Sequence, residues 1–301
     1  MGIELVHFSD CGAFRSCNQD AYCVRIASAD CGMITMAAVC DGMGGLKSGE
    51  LASSAVVHAL TKWFEQELPA LVQTDFDAET LFQSWNSAIL AVHQSLRRYA
   101  ADNHIALGTT MSLLLMTEKQ YFLAQVGDSR IYLDDGVSIH RMTQDQTLAA
   151  REFLSGRISE AEFAVHPGHH VLLQCVGNKE VTPEYAYGVL PQTGAFMLCS
   201  DGFYHTVADA YLHAALNSEA GRESLNAKML QLGEYARSCG EKDNMTAVVL
   251  RWNRFDDMPL KTASLDPQSE EAVCLESYVS VTYTNAPPID SLNHPSDDNQ
   301  Q

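Results

Sequence analysis

The stretch MITMAAVCDGMGG, residues 33–45, carries the reading of the fold. From Met33 to Cys40 the chain is apolar with only Thr35 interrupting, which reads as a strand buried on both faces. It stops at Asp41 and a glycine-rich turn. Three other strand-like runs meet an aspartate in the same way: YFLAQVGDSR at Asp128, AFMLCSDG at Asp201 and KDNMTAVVL at Asp243. A strand followed by Asp-Gly is the ordinary hairpin signal. That explanation fits poorly at Asp41 and Asp201, where glycine-rich loop or helix follows. Around Asp128 the flanking strands could pair as a hairpin about GDS, and Asp243 stands at an ordinary loop position. Four such junctions together suggest carboxylates from separate strands gathered at one place. Two carboxylates about 4 Å apart repel by roughly 4 kcal/mol at an effective dielectric near 20, so such a cluster calls for a cation.

Outward from this stretch, Ile3–Phe8 and Ala21–Ile26 read as short strands around the loop SDCGAFRSCNQD. Residues 48–68 and 78–101 show helical spacing of apolar residues, with Pro69 closing the first helix. The period then changes to two: 109–116, 120–126, 130–133 and 137–141 read as a meander with turns at Thr117–Lys119 and Asp134–Gly136. Residues 145–170 are polar, with two short helical pieces. Strands are expected at 171–175, 195–199 and 245–252, and helices at 207–217 and 222–239. Strands, paired helices, more strands, paired helices and a last strand predict an α+β fold. From Asn253 acidic residues outnumber basic ones, and residues 253–301 are expected to form an acidic, flexible C-terminal tail. Within it, Ala272–Tyr283 shows some strand-like alternation that could add an edge strand or dock elsewhere, and Pro287-Pro288 and the terminal HPSDDNQQ read as disordered.

The 301 residues are 46% hydrophobic, ample for a large core, and carry a net charge of -19. That charge argues against a nucleic-acid backbone as partner, since phosphate binding needs clustered Lys and Arg. No signal-peptide pattern opens the chain, and no apolar run is long enough to span a bilayer. Nine cysteines without a CxxC pair or compact disulfide framework suit a reducing cytoplasm. Cys40 and Cys199 adjoin Asp41 and Asp201, an adjacency that suggests oxidative control. His166, His169 and His170 resemble a metal patch, but no Cys or carboxylate stands at zinc spacing, and a structural loop is the better reading.

The ordered set RSCNQDAY (15–22), VCDGMGG (39–45), GTTMSLLLM (108–116), AQVGDSRIYL (124–133), MTQDQTLAAREF (142–153), HPGHHVLLQCVG (166–177), FMLCSDGFYHTV (196–207) and KDNMTAVVL (242–250) resembles the metal-dependent protein phosphatases of type 2C in their bacterial form. The similarity covers about residues 5–252, so 1–252 is expected to be the catalytic domain, with 145–170 as a flap beside the active site. The resemblance implies a four-layer α-β-β-α sandwich, two antiparallel β-sheets flanked by helix pairs. It implies two Mn²⁺ or Mg²⁺ ions and a third, weaker one. By motif, Asp41 would bridge the two metals and the Gly42 carbonyl would ligate the second. Asp201 and Asp243 would hold the first, and Asp128 with Asp201 the third. Arg15 would grip the substrate phosphate and Asn244 would support it. Hard cations prefer such oxygen donors, and a planar guanidinium matches a phosphate dianion.

Two positions depart from the pattern. Gln19 stands where glutamate is frequent, which thins the second metal's shell and leaves Asp20 as a supporting ligand. Met43 stands where eukaryotic members often have histidine, so the general acid is not assigned. The implied function is hydrolysis of phosphoserine and phosphothreonine in proteins, opposing a serine/threonine kinase. A cytoplasmic monomer that touches neither nucleic acid nor membrane is expected. The alternative is a catalytically weak, phosphatase-like binding or scaffolding module.

Overall fold

The computed structural model describes residues 1–29, 32–44, 48–74, 77–217, 222–254, 261–264, 273–275 and 278–289. The terminal HPSDDNQQ and the residues 45–47 that finish the glycine-rich turn lie outside them. In chain order the chain forms β1 (Gly2–Asp10), β2 (Asp20–Ala29), β3 (Gly32–Gly44), α1 (Ser48–Gln66), α2 (Leu68–Gln73) and α3 (Ala78–Asn103). Then come β4 (Leu107–Thr109), β5 (Met111–Met116), β6 (Gln120–Val126), β7 (Arg130–Asp134), β8 (Ile139–Arg141), α4 (Leu148–Leu154), α5 (Glu160–Ala164) and a 3-10 turn (Pro167–His170). The remainder is β9 (Glu184–Val189), β10 (Thr193–Cys199), α6 (Asp201–Tyr204), α7 (Asp209–Leu216), α8 (Arg222–Ser238), β11 (Met245–Asn253), β12 (Lys261–Ser264), β13 (Val273–Leu275) and β14 (Tyr278–Tyr283).

These strands make two sheets, ordered β12-β1-β11-β10-β7-β8 and β13-β14-β2-β3-β5-β6-β9, with β4 on the end of β3. Every pairing is antiparallel except β12 on β1. The four-layer sandwich follows from how side chains alternate along the central strands. On β3, Ala37 and Val39 join a core between the sheets with Leu5, Leu114, Phe196, Leu198, Val248 and Leu250. Met36, Ala38 and Cys40 face the other way, onto Leu60 and Trp63 of α1 and Trp85 and Ile89 of α3. On β11, Val248 and Leu250 point inward while Ala247 and Val249 meet Leu212 of α7 and Met229 of α8. A strand covered on both faces has no reason to alternate polar and apolar residues, which is why 33–40 reads as a continuous apolar run.

Several expectations need correction. The meander breaks at Gly127–Ser129: β5–β6 is a hairpin of one sheet and β7–β8 a hairpin of the other. GDS is therefore a crossover between sheets, with Gly127 at φ +94° and its N–H donating to Gln146 Oε1 at 2.6 Å. Residues 171–175 form no strand; their backbone makes only isolated bridges, and Val171 and Leu173 are exposed. Pro69 sits in the first turn of α2, where its missing N–H costs nothing, so the helix is broken and restarted. The unanticipated β9 is an exposed edge strand whose Tyr185 and Tyr187 lie against Phe82 and Phe122.

The segment read as a flexible tail is partly built into the fold. β14 pairs with β2 in register from Tyr278↔Ala27 to Tyr283↔Tyr22, and Val279 and Val281 join the core between the sheets. Arg25 fastens this addition: buried on β2, it donates to the Val281 carbonyl at 2.8 Å and to Thr282 Oγ1 at 2.7 Å. Without β14, the β2 edge would present unpaired backbone groups.

Candidate metal centre

The strand-end aspartates come from both sheets and meet at one end of the sandwich. Asp20 opens β2 and lies directly opposite Asp41 on β3. Asp128 sits on the crossover, Asp201 begins α6 just after β10, and Asp243 precedes β11. Burial comes first among the forces raising the Asp41 carboxyl well above the usual carboxylate range, followed by repulsion from Asp20, Asp201, Asp128 and Asp243. Asp128 is raised in the same way, by burial and then by Asp201 and Asp145. Asp201 is raised too, mainly by burial. Asp20 is 1% exposed, and burial pushes it up to about 7 despite hydroxyl donors from Ser200 and Thr246. The hairpin reading therefore fails at Asp41, Asp128 and Asp201, while Asp243 does occupy a loop before β11; the common feature of the four is proximity.

The Asp20 carboxylate and the Asp41 backbone are held by side chains with no conspicuous sequence signal. Ser200 Oγ donates to Asp20 Oδ2 at 2.8 Å and also accepts from the Thr246 N–H. Thr246 Oγ1 shares a proton with Ser9 Oγ at 2.8 Å. On the other side, the Asp41 N–H donates to Thr110 Oγ1, and the Asp41 carbonyl accepts from the Thr109 hydroxyl and the Thr110 N–H, all at 2.9 Å. Gly42 donates its N–H to the Gln19 carbonyl at 3.1 Å. A methyl at Gly42 would stand 2.2 Å from the Gly49 carbonyl oxygen and 2.5 Å from that of Gln19. This close approach of three backbones requires glycine.

Arg15 reaches in from the loop between β1 and β2. Its Nη2 is 2.6 Å from Asp243 Oδ2 while the side chain stays half exposed, at the mouth of the cluster. Hydrogen bonding to Asp243 is the first cause holding its guanidinium protonated. Asn244 has a different place from the expected one. Its Oδ1 accepts from the Gln19 N–H at 2.8 Å, and its Nδ2 donates to the carbonyls of Cys11 at 2.8 Å and Cys17 at 3.2 Å. The amide is spent on the loop that carries Arg15, so any part Asn244 plays at the phosphate runs through the placing of that loop. The suggestion of oxidative control also fails: Cys40 and Cys199 are fully buried and burial raises both thiols, Cys199 to about 12.

The donor set fits hard divalent cations. Every expected ligand is an oxygen. Asp20 Oδ1 and Asp201 Oδ1 are buried without a hydrogen-bond partner among the described residues, which is costly unless a cation or water meets them. The carboxylates repel one another, and the nearby Arg130 only partly offsets that repulsion at Asp128.

A sandwich of two sheets between helix pairs, with a buried nest of carboxylates at one end and an arginine at its rim, defines a metal-dependent hydrolase of phosphate esters. Comparison with known proteins makes this specific. The sequence profile of Protein phosphatase 2C matches residues 14–245. The chain is 28% identical over 257 residues to protein phosphatase PhpP of Streptococcus pneumoniae, covering 84% of this chain and 99% of that protein. It is 30% identical over 218 residues to serine/threonine phosphatase stp of Listeria innocua, covering 71% and 83%. Among solved structures, serine/threonine phosphatase Stp1 of Staphylococcus aureus superposes with a TM-score of 0.70 at 28% identity over 83% of this chain and 94% of that one. The catalytic domain of PstP, solved with two manganese ions, superposes with a TM-score of 0.67 at 25% identity over 83% and 97%. The chain belongs to the protein phosphatase 2C family. It is a protein serine/threonine phosphatase, and its substrates are phosphoproteins. These relatives set aside the reading as a binding or scaffolding module.

Proposed function

We propose that the acidic cluster is the catalytic centre and that it removes phosphate from phosphoserine and phosphothreonine using two Mn²⁺ or Mg²⁺ ions, with a third held more weakly. Asp41 and the Gly42 carbonyl would hold the pair together with Asp201 and Asp243. Asp128 would serve the third ion with Asp201, and Asp20 would support the site from below. The observation carrying this reading is the convergence of five aspartates from two sheets, with Arg15 on one of them. Bound divalent cations supply an acidified water and positive charge facing the phosphoryl oxygens.

The protein's own residues do the rest. Arg15 offers a planar fork to two phosphoryl oxygens, which orients phosphorus toward the carboxylates. Asn244 keeps that arginine in place through the Cys11 and Cys17 carbonyls. The hydroxyl of Ser200 holds the Asp20 carboxylate, and those of Thr109 and Thr110 hold the backbone of Asp41, so that little reorganisation accompanies reaction. Water adds its oxygen to phosphorus, the serine or threonine oxygen leaves with a proton, and inorganic phosphate is the second product.

The same reading carries a cytoplasmic setting, action as a monomer and a cognate serine/threonine kinase. Free thiols at Cys11, Cys17, Cys23, Cys40, Cys175, Cys199 and Cys239 suit a reducing compartment. Among the described residues no helix is long and apolar enough to cross a membrane. A phosphothreonine peptide assay tests the catalytic reading: turnover should need Mn²⁺ or Mg²⁺, stop on chelation and be lost in Asp201→Asn. Undiminished turnover in Asp201→Asn would contradict it.

A further inference from the structure

Two histidines converge on Asp201 at the edge of the five-aspartate cluster, on a boundary between the flap and the core. His170 ends the 3-10 turn that closes the flap, and His205 follows α6, which Asp201 begins. One ligand atom from each of His170, His205 and Asp201 lies within 4.8 Å of the other two. His205 Nδ1 is 3.9 Å from Asp201 Oδ2, and the two imidazoles meet edge to face with centroids 5.4 Å apart.

The histidines of HPGHH differ in what they do. His166 accepts the Gly168 N–H on Nδ1 at 3.0 Å and turns Nε2 toward Glu152 at 3.3 Å. His169 bonds the Phe163 carbonyl through Nε2 and packs on the Phe163 ring. Both are committed to holding the flap's own shape. The exposed imidazole of His170 makes no hydrogen bond among the described residues and faces His205 across the boundary.

We propose that His170, His205 and Asp201 bind one borderline divalent cation, Zn²⁺, Co²⁺ or Ni²⁺, and that this ion clamps the flap onto the core. Two imidazoles and a carboxylate favour such ions over Mg²⁺, which seeks an all-oxygen shell like that of the neighbouring aspartates. Ligand atoms of a tetrahedral ion with bonds of ~2.1 Å stand about 3.4 Å apart. Closing from 4.8 Å to that spacing requires only small rotations of two exposed imidazoles. The flap is already anchored where it begins, because Arg130 grips both oxygens of Asp145 at 2.9 and 2.6 Å. An ion on His170 would anchor its other end. Binding of the ion stands apart from the catalytic assignment; only its competition for Asp201 rests on that proposal.

The test uses the whole protein, stripped of metal and then saturated with Mg²⁺ to occupy all-oxygen sites. Titration with Co²⁺, followed by visible absorption and calorimetry, should reveal one equivalent with the intense d–d bands of a low-coordinate ion, distinct from the weak bands of any Co²⁺ that exchanges into the all-oxygen sites sharing Asp201. Affinity for it should fall about tenfold or more in His170→Ala and in His205→Gln, a loss typical even of a group that merely supports a ligand. It should hold in His140→Ala. Trypsin cleavage after Arg157, exposed on the flap, should slow several-fold with Co²⁺ in the wild type and not in the two site variants. Co²⁺ binding at equal affinity in both variants, or none beyond Mg²⁺ saturation, would overturn the proposal. Should either variant fail to fold, histidine NMR of the wild type with Zn²⁺ decides: unmoved resonances for His170 and His205 reject the site.

Discussion

Replacing Asp20 by asparagine should stabilise the metal-free protein at neutral pH, although the substitution sits in the proposed catalytic centre. Asp20 is buried at the opening of β2 with one oxygen bonded by Ser200 and the other unpartnered. Burial is the main reason its carboxyl is pushed from 3.8 up to about 7, with Asp201 and Asp243 adding repulsion. A carboxyl raised in the folded state holds its proton more tightly there than in the unfolded chain. Its contribution is therefore most favourable to folding below about pH 4 and is lost as pH climbs toward 7. A rise from 3.8 to about 7 corresponds to a ceiling on the order of 4 kcal/mol, since each pH unit is worth about 1.4 kcal/mol. The realised gain is smaller because Asp41 and Asp201 relieve the same repulsion by taking up protons themselves. In Asp20→Asn the amide oxygen can still accept from Ser200, while no charge remains to be desolvated. Urea denaturation in EDTA between pH 5 and pH 8 measures this directly. Wild-type stability should fall across that range, and the variant should fall less and be the more stable protein at pH 8. Saturating Mn²⁺ should narrow or reverse the difference, because a cation favours the charged form. A variant with the wild-type pH slope, or one less stable at every pH, would refute the reasoning.

Three further outcomes follow from the geometry. Gly42→Ala places a methyl 2.2 Å from one backbone carbonyl and 2.5 Å from another, neither able to swing aside, and should cost about 3 kcal/mol or more in chemical denaturation. Arg15→Lys should leave the melting temperature nearly unchanged, since a half-exposed ion pair contributes less than about 1 kcal/mol, yet lower kcat/KM on a phosphothreonine peptide about tenfold or more. Truncation after Ser277 removes the buried Val279, Val281, Tyr283 and Ile289, roughly 6 kcal/mol of apolar burial. It also bares the β2 edge, so the shortened protein should melt well below the full chain or aggregate on light scattering.

Much of the fold was legible because its central strands carry strong local patterns. Residues 33–40, 111–116, 195–199 and 245–252 are apolar on both faces, and each is covered by a sheet on one side and helices on the other. Helices α1 and α3 advertise themselves by apolar spacing and, for α3, by the Asp77 cap that accepts the Thr80 N–H. The misreadings fall where local pattern and environment part company. Residues 171–175 are apolar enough for a strand but have no neighbouring strand to pair with in full. β9 is mostly exposed and exists because β6 offers it a free edge. β14 sits in a stretch whose acidic composition suggests disorder; its alternation offers an edge strand as one outcome, and pairing with β2 decides for it.

The candidate site divides in the same manner. Asp41, Asp128, Asp201 and Asp243 stand out because an acid beside glycine or asparagine at the edge of an apolar run is visible in one dimension, whereas Asp20, Gly42 and Arg15 are picked out only by the family resemblance. Asn244 was visible too, but what it holds was not. Ser200, Thr109, Thr110, Ser9 and Thr246 carry no such mark, since single hydroxyls are common in any chain.

By itself, then, the amino-acid order determined the strands, the helix pairs and where an aspartate interrupts each apolar run. Only the tertiary structure decided that GDS crosses between sheets, that Asn244 serves the Arg15 loop and that His170 meets His205 and Asp201. Periodicity records which face of an element is buried, a local property. Whether two distant residues touch depends on sheet order and register, to which every strand contributes. The raised carboxyls of Asp20, Asp41, Asp128 and Asp201 are the clearest case: desolvation and mutual repulsion exist only once both sheets bring them to the same end of the sandwich.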